Sequence, residues 1–293
     1  MAILNMVGGG SGGLKSTDAI LRVIAPAGST VTISKGTVSK SDQGHENASD
    51  TSLYDYYFII HASQFDSVNP WTVTGTLGSD TAIKTIIIDS ADEYDVLMEY
   101  LVPITYQPVE YLESTGTQYI TTGVSPSANF VMDIDLQGSQ TSLFGSNLSG
   151  GGTNAYRWSF NYNSHYSSYV GPNGTEQNFT TASAGNRVQL QFEQTSSNKQ
   201  YFTLTYGGTT ETKSYTQTTA TGRVLWLFAY RGGSWAYGKV KIYRATMYNN
   251  GSMVGDYIPC YRKSDSVAGM WDRVGETFYT NEGTGTFIVG GDR

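Results

Sequence analysis

Short stretches of alternating apolar and polar residues run along almost the whole of this 293-residue chain. Examples are "STVTISKG", "NFVMDIDL" and "RVQLQFEQ", and clusters of Gly, Asn, Asp and Ser separate one stretch from the next. A period of two is the pattern of a β-strand with one buried face. Charged residues make up only 15% of the chain while Gly (34) and Tyr (22) are abundant, which favours short strands and turns over helices. The sequence therefore predicts an all-β protein.

The spacing of these stretches predicts two β-sandwich domains. Residues 15–102 hold strands spaced by about ten residues, which is typical of a small Ig-like sandwich. Pro103 and Pro108 mark a linker at 103–109. Residues 110–293 hold roughly ten or more predicted strands, which fits a two-sheet jelly roll. Within that domain "YNNGSM" predicts a hairpin, because Asn250 and Gly251 readily adopt a positive φ.

Residues 1–14, "MAILNMVGGGSGGL", form a separate N-terminal segment. Its glycine-rich part has little reason to become ordered by itself. We therefore expect this segment to attach the chain to another protein. The apolar residues expected to make that contact are Met1, Ile3, Leu4, Met6 and Val7.

Charge and cysteine content exclude several classes of function. The formal charge of −7 gives no footprint for nucleic acid or an anionic membrane surface, and no apolar run approaches the ~20 residues of a membrane span. The N-terminus lacks the positive charge of a signal peptide, so we expect synthesis and folding in a cytoplasm. Cys260 is the only cysteine, which excludes an intrachain disulfide, and we expect it to be a buried structural residue. No cofactor is expected.

Two segments of the second domain carry a family resemblance. "VEYLESTGTQYITTGV" at its start and "KIYRATMYNNGSMVGDYIPCYRKSDSVAGMWDRVGETFYTNEGTGTF" at its end resemble laminin-G-like, concanavalin A-like sandwich domains of virion proteins from phages of gut Firmicutes. Relatives often carry Asp where Thr121 stands. Residues 15–100 resemble the small Ig-like modules that precede such domains in phage structural proteins. The resemblance implies a concanavalin A-like fold, a place in a virion, and a role in glycan binding, although the fold also hosts glycanases and spacers.

Asp133 and Asp135 are the best candidates for catalysis or metal binding. They alternate in "VMDIDL" and so share one face of a strand. Glycosidases use two carboxylates in this way, and Ca²⁺ takes carboxylate oxygens. However, the sequence lacks the run of three spaced acids of hydrolytic relatives and an Asp-x-Asp-x-Asn-Gly loop, so we expect solvated surface acids, no catalytic residue and no metal site.

Aromatic residues in two segments are the candidates for glycan binding. In "NAYRWSFNYNSHYSSYVG" the aromatic residues from Tyr156 to Tyr162 alternate with polar ones, which predicts a strand with its aromatic face in the core. Beyond Asn163 the alternation ends and a loop is predicted. In "RGGSWAYG" a glycine-rich connection between two strands contains two further aromatic residues that could bind glycan. The alternative is that Trp235 closes one end of the hydrophobic core. The glycan-binding candidates are His165, Tyr166, Tyr169, Arg231, Trp235 and Tyr237.

Together these observations predict a phage virion protein, of a tail fibre, tail tip or head fibre, that adheres to host-surface glycan through its C-terminal domain. The N-terminus would contact other virion proteins, and a homo-oligomer is expected, a trimer by analogy. The alternatives are a structural spacer or capsid decoration protein that binds no ligand, and a glycan hydrolase.

Overall fold

The computed structural model divides the chain into two compact units, Met1–Ile104 and Thr105–Arg293. It describes residues 17–48, 53–78, 80–98, 101–103, 105–140, 142–146, 156–160, 165–170, 176–216, 224–229 and 237–293. These residues form strands, turns and a single 3-10 turn, Ala62–Gln64, which confirms the all-β prediction. Among them, no helix has the length and hydropathy that a membrane span needs.

The first unit is a sandwich of two sheets. One sheet has the order β4-β5-β1-β8 and the other β3-β2-β6-β7-β9, and β8 runs parallel to β1. Buried residues of both sheets, such as Leu21 and Phe58 in one and Ile33 and Trp71 in the other, form its core. Its strands are β1 (Ala19–Pro26), β2 (Thr30–Lys35), β3 (Val38–Asp42), β4 (His45–Glu46), β5 (Leu53–Ile60), β6 (Asp66–Leu77), β7 (Asp80–Ile88), β8 (Glu93–Leu97) and β9 (Val102–Pro103).

The described residues of the second unit form a larger sandwich of seventeen strands. The first eight are β10 (Tyr106–Pro108), β11 (Leu112–Glu113), β12 (Ile120–Thr121), β13 (Phe130–Gln140), β14 (Ser142–Ser146), β15 (Tyr156–Phe160), β16 (His165–Val170) and β17 (Gln177–Ser183). The rest are β18 (Arg187–Gln194), β19 (Lys199–Tyr206), β20 (Thr209–Thr216), β21 (Leu225–Leu227), β22 (Lys239–Asn249), β23 (Ser252–Arg262), β24 (Ala268–Asp272), β25 (Thr277–Thr280) and β26 (Ile288–Val289).

These strands form two sheets around one core. The large sheet follows β20-β19-β18-β13-β22-β23-β24-β25, with β10 paired to β23, β11 to β22 and β26 to β11. The small sheet follows β12-β21-β14-β15-β16-β17. Alternation explains the core, because Met132 and Ile134 of β13 are buried between half-exposed neighbours, and Phe144 and Leu227 face them from the small sheet.

Several local predictions are confirmed, and the predicted linker is partly structured. Asn250 (φ 51°) and Gly251 (φ 80°) form the predicted turn between β22 and β23, and Cys260 is fully buried. Residues Tyr156–Phe160 form the predicted strand, β15. The predicted linker at 103–109, in contrast, contains β10, which pairs with β23 and belongs to the second unit. The N-terminal segment 1–14 lies outside the described residues.

Candidate functional site

Trp226 lies on the outer face of the small sheet. It is the middle residue of β21, and its neighbours Leu225 and Leu227 are both buried in the core. Because successive side chains of a strand point to opposite faces, Trp226 points away from the core. Trp226 is nonetheless buried, with a relative exposure of 9%, although the main core cluster of the unit does not include it.

Two tyrosines pack around this indole. The Tyr119 ring stacks on Trp226 with ring centroids 4.5 Å apart and an angle of 25° between the planes. The Tyr237 ring lies 5.9 Å from that of Tyr119, and both tyrosines are half-buried. Offset aromatic pairs of this kind are worth about 0.5–1.5 kcal/mol beyond the area they bury. The three rings form one aromatic group that borders solvent.

Thr121 and Glu282 supply polar groups beside the rings. Thr121 is the register partner of Trp226 in the β12–β21 pair. Its backbone N–H donates to Glu282 Oε1 (3.2 Å), and its hydroxyl donates to Oε2 (3.0 Å). Glu282 is exposed, so its carboxylate remains accessible at the rim. We call Tyr119, Thr121, Trp226, Tyr237 and Glu282 the Trp226 surface.

The C-terminal part of the chain holds the β12 segment in place. The Tyr119 N–H donates to Asn281 Oδ1 (3.1 Å), and the Glu282 N–H donates to the Tyr119 carbonyl (3.0 Å). The buried Tyr257 hydroxyl donates to the Thr122 carbonyl (2.6 Å). At Gly123, with φ +74°, a Cβ would lie 3.1 Å from the Tyr279 hydroxyl, so glycine suits this turn. The position of Tyr119 is thus fixed before any ligand arrives.

The electrostatics of the Trp226 surface favour a neutral phenol next to a carboxylate. Partial burial, and then the nearby Glu282 and Tyr237, raise the pKa of Tyr119 above its usual range. Tyr119 therefore keeps its proton at neutral pH and can act as a hydrogen-bond donor. The surface offers aromatic faces, hydroxyl groups and one carboxylate.

The backbone register relates the position of Trp226 to positions on the neighbouring strands of the small sheet. Trp226 pairs with Gly145, Gly145 with Arg157, and Arg157 with Tyr169. Since neighbouring strands are about 4.8 Å apart, the position of Tyr169 lies roughly 14 Å from that of Trp226 in the same row. Gly145 has no side chain, so β14 places no group beside the indole in this row.

Comparisons with known proteins do not identify a family. No family model and no curated protein matches the chain. Among solved structures, the chain is similar to one described as a "putative carbohydrate binding protein from Bacteroides ovatus ATCC 8483", with 8% sequence identity and a TM-score of 0.42. The match covers 93% of this chain and 92% of the other. A likeness of this size does not establish a shared function.

The structure sorts the residues predicted to bind glycan. Tyr237 is part of the Trp226 surface, whereas Arg231 and Trp235 lie outside the described residues. His165 and Tyr169 belong to β16, so the predicted loop is wrong, but both remain candidates. The prediction that Tyr166 contacts a ligand is wrong, because this side chain is fully buried. Its hydroxyl donates to the Asn186 carbonyl (2.7 Å), and burial raises its pKa.

Asp133 and Asp135 share the outer face of β13, as the alternation predicts, but they have different partners. The guanidinium of Arg187 donates to both carboxylate oxygens of Asp135, at 2.9 and 2.6 Å. Gln191 donates to Asp133 Oδ1 (2.8 Å). Within the described part of the chain, no three His, Cys, Asp or Glu residues are grouped so as to hold a metal ion. The two aspartates therefore form neither a matched carboxylate pair nor a metal cage there.

Trp226, Tyr119 and Glu282 were missed by the sequence reasoning. Trp226 lies in the apolar run "VLWLF", and a tryptophan in such a run normally indicates a core residue. The sequence signal for an outward Trp226 ring is the strand Leu-Trp-Leu, because two inward leucines place the residue between them on the opposite face. Thr121 and Glu282 are 161 residues apart in the chain. No local pattern reports such a contact.

Proposed function

We propose that the second unit binds glycan on the Trp226 surface. The observation that carries the proposal is the group of three rings on the outer face of the small sheet, where Tyr119 stacks on the buried Trp226 and Gly145 is the strand partner of Trp226. Aromatic faces stack on the apolar faces of sugars, while hydroxyl and carboxylate groups bind sugar hydroxyls. The Trp226 surface combines both kinds of group.

The distance from Trp226 to Tyr169 supports an extended ligand. A row of roughly 14 Å across three strand spacings is long enough for several sugar units of one chain.

Such a surface binds weakly at each point, and affinity rises when several copies are presented together. We therefore propose a homo-oligomer, with a trimer as the first expectation.

We place this adhesin in a phage virion. Support comes from the resemblance of residues 110–290 to virion sandwich domains, and from the apolar N-terminal segment expected to contact other virion proteins. In this proposal the first unit and its N-terminus attach the chain to a tail or head fibre, and the second unit contacts host-surface glycan. A spacer that contacts virion proteins alone would lack the glycan contact.

A glycan array of bacterial surface polysaccharides, followed by titration of the best ligand, tests the proposal. We expect Trp226→Ala to weaken binding by roughly two- to tenfold, because stacking on one ring is worth about 0.5–1.5 kcal/mol. Tyr206→Ala is the matched control, since Tyr206 is 39% exposed at the end of β19 and should leave binding unchanged. Glu282→Gln, which preserves side-chain shape, should weaken binding less.

Two results would overturn the proposal. One is a folded wild-type chain that is retained by no glycan and by no intact host cell, which would favour the spacer. The other is equal binding by wild type and Trp226→Ala when their unfolding midpoints agree. If Trp226→Ala unfolds, Tyr237→Ala provides the same test at a half-buried ring.

A further inference from the structure

A pocket of about 340 Å³ opens on the outer face of the large sheet, in the second unit. It lies where β13 begins, next to the β22–β23 hairpin and the end of β18, and Asp133, Glu193 and Tyr248 are among its lining residues. Pockets for small molecules start at roughly 300 Å³, so this one suits a ligand the size of one sugar unit. We call it the Tyr248 pocket.

The strand register explains the arrangement inside the pocket. Val131 of β13 is the partner of Glu193 on one side and of Tyr248 on the other. Val131 is therefore the apolar floor between a carboxylate and an aromatic ring. Asp133 is two residues further along β13 and lies on the same face as Val131. It is therefore a diagonal neighbour of Glu193 across the two strands, and such neighbours are about 7–8 Å apart.

The side chains that line the Tyr248 pocket carry negative charge. None of its lining residues is basic. Among the described residues, neither Asp133 nor Glu193 has an ion pair, and the amide of Gln191 is the group that donates to Asp133. Burial raises the pKa of Asp133, and burial followed by the charge of Asp133 raises the pKa of Tyr248. A bound cation would offset the cost of desolvating the Asp133 carboxylate.

The side chains that line the Tyr248 pocket favour an ammonium group over a metal ion. Calcium takes six to eight oxygen ligands, and the described residues contain no group of three acidic, His or Cys side chains that could hold a metal. An ammonium group, in contrast, is bound by carboxylates and by the face of an aromatic ring. We propose that the Tyr248 pocket binds the protonated amine of an amino sugar.

This proposal is independent of glycan binding at the Trp226 surface, because the two sites lie on different sheets of the second unit. Glucosamine is the probe, with N-acetylglucosamine and glucose as analogues that lack the positive charge. At about pH 7 an amine of pKa ~8 is mostly protonated. Each sugar is titrated into the full-length protein, and heteronuclear NMR records the chemical shifts of the backbone amides. The amides that shift show where the sugar binds.

We expect glucosamine to shift the amides of Asp133, Glu193 and Tyr248, and the two neutral sugars to shift them far less. Asp133→Asn and Glu193→Gln should each weaken glucosamine binding by about tenfold, as expected for the loss of a charged hydrogen-bond partner. Glu276→Gln removes the same charge at an exposed position of the same unit, and it should bind glucosamine like wild type. Trp226→Ala should also bind it normally.

Equal shifts by all three sugars would overturn the proposal, since charge would then play no part. Unchanged glucosamine affinity in Glu193→Gln would also overturn it, and this variant carries the test if Asp133→Asn fails to fold. If calcium shifts the same amides and glucosamine does not, the Tyr248 pocket is a metal site and the assignment to an amine is wrong.

Discussion

The side chains on the outer faces of the two sheets in the second unit are stabilised by different kinds of contact. On the large sheet, polar groups find partners across neighbouring strands: Arg187 binds Asp135, and the Thr203 and Thr212 hydroxyls lie 3.0 Å apart. On the small sheet, Tyr119 stacks on Trp226, Tyr237 packs near Tyr119, and the polar pair Thr121 and Glu282 lies beside these rings.

The buried carboxylate of Asp256 is the strongest example of pairing on the large sheet. It has no exposed surface and accepts hydrogen bonds from both Arg244, at 3.0 Å to Nε, and Arg273. These three residues hold β22, β23 and the turn after β24 together. The Tyr248 pocket is the exception on this face, because its carboxylates lack such cations. The comparison teaches that carboxylates without a neighbouring cation, and aromatic groups on the outer face of a sheet, mark the places where we propose that a ligand binds.

The largest expected effect tests whether pairing supports the large sheet. Asp256→Asn leaves two largely buried guanidinium groups without their carboxylate, and removing one partner of a buried ion pair costs about 3–5 kcal/mol. Urea unfolding should therefore show a loss of about 3 kcal/mol or more in the free energy of unfolding. Asp265→Asn is the control: its pair with Arg262 is about 40% exposed and should cost less than about 1 kcal/mol. Equal losses in the two variants would contradict this account.

An intermediate effect tests how the two sheets are joined at one edge. Glu211 of β20 accepts hydrogen bonds from the Thr180 N–H (2.7 Å) and the Thr181 hydroxyl (2.9 Å) of β17, in the small sheet, and from Lys213 (2.7 Å). Burial opposes ionisation, but these hydrogen bonds lower the pKa of Glu211 to about 2. We expect Glu211→Gln to cost about 2 kcal/mol at neutral pH.

The pH dependence of that cost gives the sharper measurement. A carboxyl group with a lowered pKa in the folded state stabilises the fold above its unfolded pKa, and this stabilisation is lost as pH falls through the folded pKa. The difference in unfolding free energy between wild type and Glu211→Gln should therefore shrink from about pH 4.5 and vanish near pH 2. A difference that stays constant over this range would show that the charge of Glu211 plays no part.

The smallest effect tests the aromatic face. Tyr119→Ala removes the ring stacked on Trp226, so it should expose the indole and lower the unfolding free energy by about 1 kcal/mol. Faster quenching of tryptophan fluorescence by acrylamide checks the exposure, with Tyr206→Ala as the control. Unchanged quenching would mean that Tyr119 does not cover the indole.

Alternation predicted the core wherever burial follows the strand period. In β13 and β18 every second residue is buried, and the Asn-Gly turn adopts the conformation that its sequence favours. The sequence did not predict strand β16, because its buried polar residues form hydrogen bonds with residues elsewhere in the chain. Ser167 donates to Glu176 (2.6 Å), and the hydroxyls of Ser168 and Tyr215 lie 3.1 Å apart. Buried serines interrupt the hydrophobic pattern, so the strand resembled a loop.

The sequence by itself determined the all-β class, since strand periodicity is a local property of neighbouring residues. It also predicted that Asp133 and Asp135 share a face. Only the tertiary structure decided that Asp135 is bound by Arg187 while Asp133 lines a pocket, and that Tyr119, Trp226 and Glu282 meet on one surface. These contacts join residues far apart in the chain, and strand order and register, which arise from packing of the whole sandwich, bring them together.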